Sequence, residues 1–351
     1  RYRTRQIALQ IQYDGTSYLG FASQDLEETV ENHLFNALLK LKLIEDRKTC
    51  KYSRCGRTDK GVSALGQVVL PAPEPALSVD ADGNGEGTEP LTKKSKKKKN
   101  SKQAAPTAPK EKVVQEMDYV TMLNRTLPDD IRVLGWTPVT DEFSARFSAS
   151  HRTYRYFFQR KHLNIIAMRT AAQLLLGSHD FRNICKIDIA NVSNFVRDIY
   201  AVEIRPFQAS DAPENEETIY MLQITGIAFL WHMVRCIMAV LFMVGEGLEQ
   251  PDVVSRLLDI ENCVGKPPYP LAAEQPLVLH DCGFDNLCIP TQARHMWQLT
   301  AHYRSIQESH LIAAARARNS LEFVLNSQVR QSDLCAFQED LRLQEEKHMK
   351  K

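Results

Sequence analysis

The stretch Arg152-Thr153-Tyr154-Arg155-Tyr156-Phe157-Phe158 predicts a β-strand. Period two puts Tyr154, Tyr156 and Phe158 on one face and Thr153, Arg155 and Phe157 on the other. The strand lies in a basic window. From Phe143 to Thr170 there are six cations (Arg146, Arg152, Arg155, Arg160, Lys161, Arg169) and no acid. Cations for phosphates and rings for unstacked bases are what an RNA groove needs. A solvated strand whose alternate aromatics are core has the same composition, so this window alone leaves both readings open.

Toward the N-terminus, Ile7, Leu9, Ile11 and Tyr13 alternate with Ala8, Gln10 and Gln12 as in a half-buried strand, and Asp14-Gly15 breaks it as a turn. Val30, Leu34, Leu38 and Leu41 recur at helical spacing. Residues 72–112 have almost nothing to bury and carry seven lysines between Lys93 and Lys102, so they read as a disordered insertion. The lysines suit a nuclear signal, a loose RNA tether or a solvated linker. A helix over Val113–Leu127, stopped before Pro128, and a strand over Ile131–Val139 complete this half. Toward the C-terminus the pattern predicts helices over Ile166–Leu176, capped by Gly177, and over Ala190–Ile199. Strands over Val202–Phe207 and Thr218–Thr225 follow, then a helix over His232–Val244, one opened by Pro251, and a strand over Leu277–His280. The expected class is α+β: two halves of similar content, 1–142 and 143–290, with helices covering a sheet and a cleft where they meet, and a helical extension over 291–351.

The 351 residues are 43% apolar and 25% charged, as in an ordinary globular protein, and the net charge of +1 does not by itself announce a nucleic-acid binder. Eight cysteines occur without a Cys-x-x-Cys pair, which suits reduced thiols in cytosol or nucleus. His151, His162, His179, His232 and His280 have no metal-ligand spacing, so no metal is expected. No secretory signal is visible, although a chain starting at Arg1 would not show a trimmed one. There is no Gly-rich phosphate loop, dinucleotide fingerprint or Ser-His-Asp order.

Two groups stand out chemically. In Arg54-Cys55-Gly56-Arg57-Thr58-Asp59-Lys60-Gly61-Val62-Ser63 an acid is bracketed by glycines and flanked by cations. Such a carboxylate, held by a tight loop and kept ionised by its neighbours, can attack an electrophilic carbon. Thr-Asp-Lys-Gly is equally a good turn, with Asp59 satisfying backbone amides. Arg235 is the only formally charged residue in the 28 positions between Glu217 and Glu246. That charge argues against a membrane span, and a guanidinium among apolar residues needs an anionic partner. Asp59 is one candidate partner; a structural acid or an exposed helix edge are the others. Tyr154, on the basic strand, could stack beneath an extruded base or serve as an ordinary core ring.

Taken together the segments resemble the TruA family of tRNA pseudouridine synthases. The matching pieces run in the family's order: Tyr13-Asp14-Gly15 with Tyr18-Leu19-Gly20-Phe21; Gly56-Arg57-Thr58-Asp59-Lys60-Gly61-Val62; Asn124-Arg125-Thr126-Leu127-Pro128-Asp129-Asp130-Ile131; Phe143-Ser144-Ala145-Arg146-Phe147-Ser148-Ala149; Arg152-Thr153-Tyr154-Arg155-Tyr156; Gly177-Ser178-His179-Asp180-Phe181; and Phe229-Leu230-Trp231-His232-Met233-Val234-Arg235. Gly20-Phe21-Ala22-Ser23-Gln24 and Pro276-Leu277-Val278-Leu279 are most similar to the eukaryotic branch acting on tRNA uridines 38 and 39, and Pro276 departs from the bacterial form of that pocket. The resemblance implies the pseudouridine synthase fold, two halves sharing a mixed, mainly antiparallel sheet, in a homodimer that binds tRNA. It implies Asp59 as nucleophile, Tyr154 as the ring at the target base, Arg235 as the ion-pair partner of Asp59, and Arg57 as the group displacing the base, with no cofactor. Arg146, Arg152 and Arg155 would bind the RNA. A nuclear and/or cytoplasmic setting is expected. The same chemistry at tRNA positions 27 and 28, or a non-catalytic RNA binder on this scaffold, are the competing readings.

Overall fold

A computed structural model describes residues 6–23, 28–71, 117–190, 192–207, 214–326, 339, 340 and 342. The expected insertion at 72–112 and most of the tail beyond Asn326 lie outside the described residues. The chain divides into two compact units, Arg1–Gln292 and Ala293–Lys351. The boundary expected between 142 and 143 is internal to the first unit.

Among the described residues of the first unit, nine strands form one sheet: β1 (Ile7–Tyr13), β2 (Ser53–Arg54), β3 (Ser63–Leu70), β4 (Ile131–Pro138), β5 (His151–Gln159), β6 (Gly177–Asp180), β7 (Val196–Pro206), β8 (Ile219–Gly226) and β9 (Leu277–Gly283). Their order is β4-β1-β3-β9-β5-β8-β7-β6, with β2 paired to β3. The pairings are antiparallel except β3 with β9, which run parallel through Ser63↔Val278 and Ala64↔Leu279. That seam joins the halves. β9 pairs with the start of β3, while β2 pairs with its end through Ser53↔Leu70 and Arg54↔Val69. The chain between β2 and β3 therefore leaves the sheet beside the fork.

Each half has its own apolar core. Ile7, Leu9, Ile11 and Tyr13 of β1 pack with Leu34 and Leu38 of α1 (Val30–Lys40) and Leu123 of α2 (Tyr119–Asn124). In the other half Tyr156 and Phe158 pack with Met168 of α3 (Ile165–Gln173), with α4 (Met233–Gly245) and with Val254 and Leu257 of α5 (Val253–Leu258). α4 is apolar on nearly every side, and ten of its 13 residues are buried, as expected of a helix enclosed on all sides. For Tyr156 and Phe158 the core reading of the basic window holds; Tyr154 alone is packed against both cores. The second unit contains α6 (Ala293–Leu325).

Three local expectations fail. The described residues of Ala190–Ile199 form no helix: Val192 N–H donates to Asp188 O in a single turn (2.9 Å), and from Val196 the chain pairs with β6 and β8. Tertiary pairing of a β-branched stretch overrides its spacing. Gly177 does not cap α3, which ends at Gln173; its φ of +100° opens β6 instead. The described helix before Pro128 covers only Tyr119–Asn124, begun by Asp118, whose carboxylate accepts from Thr121 N–H (3.1 Å). Ser63–Leu70, without an assignment from periodicity, is the strand at the centre of the N-terminal half.

Candidate active site

The loop carrying Asp59 is held at nearly every residue. Cys55 N–H donates to Val68 O (2.9 Å). The Gln67 amide grips Gly56 at both ends, accepting from its N–H (3.1 Å) and donating to its carbonyl (2.8 Å). The Thr58 and Tyr13 hydroxyls are 2.8 Å apart, Phe21 N–H donates to Thr58 O (3.1 Å), and Gly61 N–H donates to Tyr18 O (3.2 Å). Two glycines are obligatory here. A β-carbon on Gly15 would lie 2.0 Å from Val62 O, and Gly61 has φ +76° with Glu274 Cγ 2.6 Å from where a β-carbon would sit. The Tyr13-to-Phe21 segment is thus a bracket for the Asp59 loop, which explains physically why the two motifs occur together.

The Asp59 side chain is 29% exposed. Burial raises its pKa above the ordinary carboxylate value, against the opposing effects of Arg235, the Trp231 indole N–H and Lys186. The cations that act on Asp59 come from distant segments; the sequence neighbours Arg57 and Lys60 are exposed. His232 Nε2 lies 3.6 Å from Asp59 Oδ2. Burial, with Arg235, Lys186 and Lys266 nearby, lowers the His232 pKa to about 4, so the ring is neutral at neutral pH and the contact is not an ion pair. His232 precedes α4 with φ 57°, ψ 11°, a left-handed conformation that turns the chain into the helix.

Arg235 does not form the ion pair expected with Asp59. Its Nη2 meets Glu274 Oε2 at 2.8 Å and its Nε donates to Ala272 O at 2.7 Å. The structural acid is the partner, and Arg235 reaches Asp59 only through its field. Glu274 also covers Gly61, so this pair braces the loop against α4.

Tyr154 sits mid-sheet between Ile224 of β8 and Leu279 of β9. Phe229 stands edge-on to its ring (centroids 5.0 Å apart, 78°). A β-carbon on Gly56 would meet Leu279 Cδ2 at 3.5 Å and the Tyr154 hydroxyl at 4.0 Å, so the loop backbone passes close over the phenol. Burial, then Cys282 and the Asp59 charge, drive the phenol pKa far up, which keeps Tyr154 protonated. It can stack or donate a hydrogen bond, but is no base.

The other arginines separate. Arg57 and Arg146 are exposed, and burial followed by the charges of Arg54 and Arg146 lowers the Arg57 pKa. Arg152 is buried and donates to three carbonyls: Ile227 O (2.6 Å), Arg146 O (2.7 Å) and Cys55 O (3.0 Å). Buried and spent on three carbonyls, it is a clamp between chain segments, which does not suit the expected RNA-binding role. Arg155 points to the opposite sheet face from Tyr154 and donates to Gln223 Oε1 (2.9 Å), so it does not line this site. Trp231, Lys186 and Glu274 were missed by sequence reasoning, and His232 was dismissed. Trp231 and His232 stood in a quoted motif; Lys186 and Glu274 carry no local signal.

These features define an α+β protein with a partly buried carboxylate on a loop beside the seam between the two halves of one sheet. Residues 171–285 match the tRNA pseudouridine synthase family. The chain is 38% identical over 319 residues to the "Probable tRNA pseudouridine synthase tag-124" of Caenorhabditis elegans, covering 90% of this chain and 75% of that protein. It is 43% identical to the Homo sapiens "tRNA pseudouridine(38/39) synthase" (88% of this chain, 61% of the relative) and 46% identical to the Bos taurus protein of that name (81% and 56%). The chain belongs to the tRNA pseudouridine synthase family. It spans somewhat over half the length of these mammalian relatives.

Proposed function

We propose that the chain isomerises uridine to pseudouridine in tRNA, at positions 38 and 39 of the anticodon stem-loop, with Asp59 as the catalytic nucleophile. The observation that carries this reading is the Asp59 loop, fixed from both sides, whose backbone at Gly56 passes close over the Tyr154 phenol, with the Asp59 charge among the effects that keep that phenol protonated. The extruded base stacks on Tyr154, the bond from N1 to the ribose C1′ breaks, the base turns and C5 joins C1′; the proton that C5 loses is balanced by one taken up at N1, and the bond that Asp59 forms to the nucleotide is released again within the cycle. Nothing is oxidised and no phosphate is consumed, so the reaction calls for no cofactor. Holding the cleaved base against the ring keeps both fragments at high effective concentration. His232, neutral and without a transferable proton charge at neutral pH, lies against the carboxylate as a wall and not as an acid. Arg57 and Arg146, exposed beside the loop, contact the RNA backbone and help extrude the base.

The mammalian relatives, named for action at 38/39, support the position. A homodimer and a nuclear and/or cytoplasmic setting complete the proposal; sedimentation of the purified chain and imaging of the tagged protein test them. The central experiment maps pseudouridine in tRNAs carrying single uridines at 38, 39, 27 or 28. Wild type should modify the first two and Asp59→Asn none. Modification by Asp59→Asn refutes the mechanism, modification confined to 27 or 28 refutes the position, and binding without modification by wild type supports a silent RNA binder.

A further inference from the structure

Just before α4 the chain turns one aromatic inward and the next outward. Phe229 stands on Tyr154, while Trp231 is 44% exposed. The Trp231 ring centroid is 5.1 Å from that of His232, whose Nε2 lies 3.6 Å from Asp59 Oδ2, and the indole N–H favours the charged form of Asp59. Lys186 arrives from the segment after β6, where its backbone N–H donates to Trp231 O (2.8 Å), and its Nζ lies 4.0 Å above the indole ring. Among the described residues this ammonium makes no ion pair. A large ring left in water on the lip of a site, with an unpaired ammonium fixed beside it, has the chemistry of a nucleotide: a π-face for the base and a cation for its phosphate.

We propose that Trp231 and Lys186 form a subsite for a nucleotide flanking the target uridine, the indole stacking on its base and the ammonium pairing with its phosphate. The inference rests on the reading of Asp59 as an RNA-modifying centre, and it assigns Trp231 a specificity-determining role.

The test uses the full chain and a stem-loop RNA whose flanking bases are replaced one at a time by an abasic nucleotide. Trp231→Ala should lower kcat/KM about tenfold or more on the intact RNA, since base–aromatic stacking is worth that much. It should cost nothing further on the RNA lacking the base that the indole reads, and Trp231→Phe should retain most activity. Lys186→Gln should flatten the salt dependence of binding by about one phosphate contact. In an Asp59→Ala background the intact RNA should quench Trp231 fluorescence, a signal absent from the Trp231→Phe counterpart. Full activity of Trp231→Ala, an equal loss on every abasic RNA, or no quench by any RNA would each overturn the subsite. Quenching by an RNA that wild type leaves unmodified would uphold the subsite and sink the proposed catalysis instead.

Discussion

His232→Asn isolates one titrating group in the fold. Asn tolerates the left-handed backbone at this position (φ 57°), so the substitution removes an imidazole without straining the turn into α4. In the folded protein the His232 pKa is lowered from 6.5 to about 4, and the side chain is only 16% exposed. The unfolded chain therefore binds a proton in a window where the native state does not, and stability must fall as pH drops from about 6.5 toward 4. Over the whole window the loss is about 3 kcal/mol; between pH 7 and pH 5 it is roughly 2 kcal/mol. Urea unfolding of both proteins at several pH values between 7.5 and 4.5 reads the difference. The wild-type curve should be steeper than the variant's by that amount, and the two should differ little in slope above pH 7. Parallel curves would mean that the imidazole takes up its proton in the folded state, and the neutral His232 wall beside Asp59 would be wrong.

Arg152→Lys should cost about 3 kcal/mol or more by thermal or urea unfolding, because one ammonium cannot serve three carbonyls and the unsatisfied acceptors are buried; a stable variant with weakened, less salt-dependent RNA binding would restore the RNA-contact role. Gly15→Ala should destabilise by more than about 2 kcal/mol, since its β-carbon would collide with Val62 O and the bracket of the Asp59 loop must shift; an unchanged melting temperature would refute that geometry. The pH–rate profile should fall on its acid side through a raised carboxyl pKa, and Lys186→Gln, by removing an opposing cation, should move that limb to higher pH. An unmoved or lowered limb would place the titrating group elsewhere.

Much of this protein is local. The β1 alternation, the Asp14-Gly15 turn, the apolar α4 and the glycine-bounded Asp59 loop are set by residue type and spacing, which fix which face is buried and which backbone angles are allowed. The sequence by itself therefore determined the two-half α+β class and the positions of Asp59 and Tyr154. It could not determine partners. Arg235 finds Glu274, 39 residues away, because the chain around Ala272 lies over the loop, and nothing near Arg235 foretells that. Arg152 looks in sequence like any RNA-facing arginine until its neighbours Cys55 and Ile227, 97 and 75 residues away, enclose it. Val196–Ile199 became strand because two other strands claimed its backbone. Charge state follows the same rule: burial, reinforced by Arg235, Lys186 and Lys266, makes His232 neutral, and burial lifts Asp59 against the opposing pull of Arg235 and Lys186, because desolvation and Coulomb effects depend on separation in space and have no counterpart in sequence order.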